Sequence, residues 1–151
     1  MQRIATAIWK GGPRAGEGTV ATATGILENI PYAFSYGAHI YACTSPCELL
    51  AAAHASGVAL ALSAELTRAG YIPQHIETEA VISMEEAGSN WRITASHVNL
   101  RARVPEIELF RFEEIAETAT DICPVSVMLG ASMKVTLNAE LNPTPVRVLT
   151  S

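Results

Sequence analysis

The sequence predicts an α+β fold in one domain, and three observations carry the prediction. The chain begins with period-two alternation, continues into one long capped helical run, and then returns to alternation before a second helix and a last strand. The order is strands, helix, strands, helix, strand, whereas a βαβ architecture would alternate throughout. With 151 residues, 49% of them hydrophobic, the chain can close one compact core and is too short for two ordinary domains, so residues 1–151 read as a single domain.

Residues 1–36 read as a small antiparallel strand meander. In "RIATAIW", Ile4, Thr6 and Ile8 fall on one face and Ala5, Ala7 and Trp9 on the other; "GGPRAGEG" turns the chain, "TVATATGIL" resumes the alternation, and the meander ends at "IPYAFSY". Residues 37–44 read as a loop or a short strand leading into the helix. The strongest local signal follows: Ser45 at the N-cap, Pro46 at the first helical position and Glu48 three after the cap set the start of a central helix over 45–70. Gly70 supplies a left-handed C-terminal cap and Pro73 prevents a restart. At the rise of an α-helix the stretch from 46 to 69 spans roughly 36 Å, and its apolar sides require cover from other elements or another subunit.

Residues 74–105 carry two strands of a hairpin joined at "EAGSN". A second helix is expected over 106–128, with Ile107, Phe110, Ile115, Ala119 and Ile122 inward and Glu113, Glu114 and Glu117 outward. Pro124 should kink or break it just after Cys123, because proline removes an amide donor. Residues 132–141 are expected to close as a final strand, and the tail "NPTPVRVLTS" reads as poorly anchored.

A net charge of −5 and a pI near 5.3 give no footprint for nucleic acid or an anionic membrane, both of which require clustered Lys and Arg. The apolar stretch Leu49 to Leu62 contains His54 and Ser56 and is flanked by Glu48 and Glu65, which suits a core helix better than a bilayer span. The first residues have no secretory h-region, so a cytoplasmic location is expected. Three cysteines are too few for a secreted disulfide framework, and they should be largely reduced there.

Cys47 is the first candidate for chemistry. It stands at the second helical position, where unpaired amides and the helix dipole favour an anion; thiols so placed can have a pKa lowered from about 8.5 to near 7 or below. The bland alternative is a space-filling residue. Cys123 in "DICPVS" precedes a proline that breaks the helix, and alone it reads as readily as an inert core cysteine. Cys43, four before Cys47, could join it and His39 as metal ligands, but the spacing fits no zinc knuckle and the helix cap falls between the sulfurs. No metal and no cofactor is expected. His54, about 10 Å along the axis from Cys47, reads as a structural histidine. "GGPRAGEG" lacks a Gly-Lys-Ser/Thr end and precedes a strand, so it is a turn with one cation, Arg14, and no phosphate loop.

Taken together, "GEGTVATATGIL", "IPYAFSY", "SPCELLAAAHASG" and "CPVSVML", in this order and spacing, resemble the OsmC/Ohr family of osmotically inducible and organic hydroperoxide resistance proteins, the OsmC branch in particular. The likeness runs from about Ala5 to Leu141. It implies an OsmC-like fold in which antiparallel sheets pack around long central helices in an intertwined homodimer. It also implies a thiol peroxidase of oxidative-stress defence, acting on small organic hydroperoxides and recycled by a dithiol reductant. In that family the attacking cysteine ends "AAHAAC"; this chain reads "AAHASG", so Gly57 holds the nucleophile position. The family's first helix-start Glu is replaced by Cys47, Glu48 keeps the second, and the OsmC-branch Arg aligns with Gly37. The resolving cysteine is matched by Cys123.

Two functions from different classes follow. In one, the thiol has relocated: Cys47 attacks the peroxide, Cys123 resolves the sulfenic acid and Arg14 is the charge partner. A straight helix nevertheless separates Cys47 from position 57 by about 15 Å along its axis, which counts against a simple swap. In the other, the protein is a catalytically inactive OsmC-fold protein that binds a small apolar ligand at the dimer cleft, around Gly57, His54 and Glu48.

Overall fold

The computed structural model describes residues 1–34 and 42–143. The expected features at Gly37 and His39, and the chain from 144 onward, lie outside the described residues. The chain divides into two compact units, Met1–Leu50 and Ala51–Ser151.

The first unit holds the expected meander as a three-stranded antiparallel sheet, β1 (Ala5–Lys10), β2 (Glu17–Thr22) and β3 (Ile30–Tyr32), in that spatial order. Trp9, Gly18 and Tyr32 stand in one row across it, the two rings 5.6 Å apart. A Cβ on Gly18 would meet the rings at 2.5 and 2.6 Å, so only glycine lets them close over the middle strand. Thr44 is bridged to Tyr32 and brings the chain to the long helix.

That helix, α1, runs Pro46–Arg68. The hydroxyl of Ser45 accepts from the Glu48 amide at 3.1 Å, as its cap position requires. At the other end Gly70 has φ +92°, the Tyr71 amide donates to the Leu66 carbonyl at 2.9 Å and the Gly70 amide donates to that of Thr67 at 3.1 Å, which together form a Schellman cap. Its buried residues are His54, Val58, Leu62 and Leu66, a single stripe at four-residue spacing. By length and composition alone the whole helix is long and apolar enough to cross a membrane. Here its buried stripe is part of a core, with Val98, Leu100, Phe112, Ile115, Ala119 and Cys123.

In the second unit β4 (His75–Ala87) and β5 (Asn90–Arg103) form the expected hairpin, turning through Gly88 at φ +69°. Ser96, Val98, Leu100 and Ala102 are its buried inner row. A bulge at Ser83/Met84 leaves Thr94 as the extra residue on β5.

Beyond β5 the helical stretch read over 106–128 is broken at Cys123, as expected of Pro124, into α2 (Leu109–Ile122) and α3 (Pro124–Gly130), with Glu106 at φ +63° ahead of the later start. Two other features depart from expectation. The buried face of α2 is Phe112, Ile115, Ala116, Ala119 and Thr120, while Phe110 and Ile122, predicted inward, are exposed. The last strand, β6 (Lys134–Leu141), pairs with β5 in parallel, so this sheet is mixed where antiparallel sheets were expected. The two intervening helices supply the crossover that a parallel pair requires.

Candidate functional site

Position 57 and Cys123 are brought together. Cys123 sits at φ −58°, ψ 123° between α2 and α3; its amide donates to the Ala119 carbonyl and its carbonyl accepts from the Val127 amide, so one extended residue ends one helix and begins the next. This pins the side chain in the core, where Cys123 is fully buried. Its sulfur faces α1: a Cβ built on Gly57 would stand 3.0 Å from Cys123 Sγ and 3.5 Å from Val125 Cγ2. The space above the glycine is therefore taken up by the thiol.

His54, three residues before Gly57 on α1, is also fully buried. Its Nδ1 pairs with Ser96 Oγ of β5 at 2.7 Å and its Nε2 with Ser126 Oγ of α3 at 2.8 Å. Burial lowers its pKa below the ordinary 6.5, because desolvation penalises the imidazolium. A neutral imidazole with both nitrogens bonded ties three elements together. Thr78 Oγ1 adds a 2.8 Å bond from β4 to the Ala55 carbonyl.

In the first unit, Cys47 lies half-buried in the first turn of α1 and Cys43 half-buried just before it. Glu48 is in the cap, where its carboxylate accepts from Thr44 Oγ1 at 3.1 Å. Arg14 is exposed in the turn between β1 and β2. None of the three cysteines is in a disulfide. Among the described residues no cluster of three His, Cys, Asp or Glu is gathered for a metal.

Two cavities open in the second unit. One, of about 680 Å³, is lined by Glu113, Glu117, Asp121, Ser126, Thr136 and Asn138 among others; the other, of about 280 Å³, is bordered by the ion pairs Arg68–Glu65 and Arg111–Glu114. Gly57, His54 and Glu48 line neither. Sequence reasoning missed Ser96 and Ser126 as the partners of His54. The signal was present: Ser96 is a polar residue in the inward phase of a strand, and Ser126 closes the "CPVS" motif.

The comparisons agree with this architecture. The family model described as OsmC-like protein matches residues 39–138. The chain is 36% identical to the peroxiredoxin OsmC of Escherichia coli K12 over 133 residues, 88% of this chain and 92% of that protein. Among solved structures, an OsmC-like protein of Mycoplasma pneumoniae superposes with a TM-score of 0.78 at 12% identity, over 95% of this chain and 99% of that one. An organic hydroperoxide resistance protein of Elizabethkingia anophelis does so at 0.74 and 21% identity, over 94% and 97%. With two thirds of its length matched by the family model and nearly all of it by a curated relative, the chain belongs to the OsmC-like family.

Proposed function

We propose that this protein is a thiol-dependent organic hydroperoxide reductase of oxidative-stress defence, acting in the reducing cytosol as an intertwined homodimer. The observation that carries the reading is the buried Cys123, whose sulfur is turned onto position 57, in a chain 36% identical to a peroxiredoxin. The thiolate of Cys47 attacks the terminal peroxide oxygen; the O–O bond breaks, the alkoxide leaves and takes up a proton as the alcohol, and Cys47 becomes a sulfenic acid. A Cys123 thiol then displaces water from that sulfur to form a disulfide, which a dithiol reductant reopens by exchange. Because a helix holds Cys47 about 15 Å along its axis from position 57, we assign the pair to two protomers, Cys47 of one and Cys123 of the other. Arg14 is the proposed charge partner of the thiolate.

The test is consumption of cumene hydroperoxide with dithiothreitol by the natural protein, Cys47→Ser and Cys123→Ser, followed on non-reducing gels. One equivalent of peroxide should convert the natural protein to a covalent dimer; neither variant should show that band, and Cys47→Ser should not turn over. No consumption and no loss of thiols would reject the reductase. The second reading, a non-catalytic protein that binds a small apolar ligand at the dimer cleft, is favoured by Gly57 in the nucleophile position, and activity appearing only in Gly57→Cys would support it.

A further inference from the structure

We propose that His54 is a positioning residue that sets the sulfur of Cys123 against position 57. This deepens the thiol reading and rests on it. Cys123 both ends α2 and begins the first turn of α3, and among the described residues the side chain that ties this turn to α1 by a hydrogen bond is Ser126, three residues on, bonded to His54 Nε2 at 2.8 Å. His54 and Gly57 are themselves three apart on α1, so they share a helix face, and both meet that same turn: His54 through Ser126, Gly57 through Cys123 and Val125.

The direction of the bonds follows from hydrogen accounting. Ser96 is fully buried, and His54 Nδ1 is its one side-chain partner among the described residues. The arrangement that strands no buried proton has the Ser96 hydroxyl donating to Nδ1, and Nε2–H donating to Ser126 Oγ. The Ser126 proton then turns to the cavity that this residue lines. Protonating His54 would require Ser96 to accept instead and leave its own proton without a partner, so the neutral ring is the one that fits.

The test uses Gly57→Cys as a reporter. The 3.0 Å between the position-57 Cβ and Cys123 Sγ is close to the separation of about 3 Å across a disulfide, so the new thiol is expected to close onto Cys123. In that background, closure with oxidised glutathione would be timed by mass spectrometry for Ser126→Ala, His54→Gln and His54→Asn, with melting temperatures alongside. Glutamine reaches the Nε2 site and can still donate to Ser126; asparagine reaches only the Nδ1 site. We expect closure to slow about tenfold in Ser126→Ala and His54→Asn and to be retained in His54→Gln, irrespective of small differences in melting. Equal rates in all three, or rates that follow melting temperature alone, would overturn the proposal. Because closure requires no hydroperoxide, His54-dependent closure in a protein that consumes none would reject the reductase and keep the positioning role.

Discussion

At the scale of single residues, Gly57 is set by two opposed terms. Glycine inside a helix costs about 1 kcal/mol relative to alanine. The cost is retained because a Cβ there would press on Cys123 Sγ at 3.0 Å, a contact tight enough to force the sulfur aside. Gly57→Ala should therefore gain nothing or lose about 1 kcal/mol in the natural background, since overpacking a buried site costs about 1–3 kcal/mol. In Cys123→Ala, where the sulfur is gone, the same change should stabilise by about 1 kcal/mol. A double-mutant cycle by urea unfolding measures the coupling, expected at about 1 kcal/mol or more. Additive effects would mean that the thiol does not dictate the glycine.

At the scale of elements, His54 makes the packing of α1, β5 and α3 depend on pH. Its folded pKa lies below the ordinary 6.5 through desolvation, so as pH falls the unfolded chain takes up the proton first. The stability it contributes is present above 6.5 and is lost on acidification from there down to the folded pKa. Melting temperature between about pH 8 and pH 5 should fall more steeply in the natural protein than in His54→Gln, and parallel curves would refute the linkage. The sequence already carried much of this level: Ser45, Pro46, Glu48 and Gly70 fix both ends of α1 through local hydrogen bonds that need no tertiary context. The phase of α2 was less legible, because "LFRF" offers Phe110 and Phe112 on nearly opposite sides and alternation alone does not say which enters the core; Phe112 does. The parallel pairing of β6 was invisible for a similar reason, since strand direction is set by the crossover and leaves no mark on alternation. Cys123 and Gly57 were singled out through the resemblance to the family's motifs, and the fold sets the Cys123 sulfur beside position 57. For the clamp on His54, the inward phase of Ser96 and the place of Ser126 in "CPVS" were legible, but their pairing with His54 was not, because the two serines lie 42 and 72 residues away along the chain.

At the scale of the whole molecule, the surface each unit leaves open argues for a second copy. In the first unit every residue of β1 except Trp9 is exposed, with Ile8 at 54%, although its alternation was written for one covered face. A small sheet without cover on a face is marginal in water. In the second unit Leu60 of α1 is 73% exposed and Phe110 of α2 75%, with Ile122, Val127 and Met128 also open. The homodimer we propose would cover such apolar surface, and a stable interface buries about 1,000 Å² or more. Sedimentation equilibrium should give a mass of twice 16.1 kDa, and the melting temperature should rise with protein concentration because association stabilises the folded chain. Leu60→Glu, which places a charge on that open face, should weaken the dimer and make melting independent of concentration. The same variant bears on the chemistry: with Cys47 and Cys123 paired only between protomers, a monomer treated with hydroperoxide should stop at the Cys47 sulfenic acid, keep the Cys123 thiol and form no covalent dimer. A natural protein that sediments at 16.1 kDa yet still loses two thiols would place the pair within one chain and refute the dimeric mechanism.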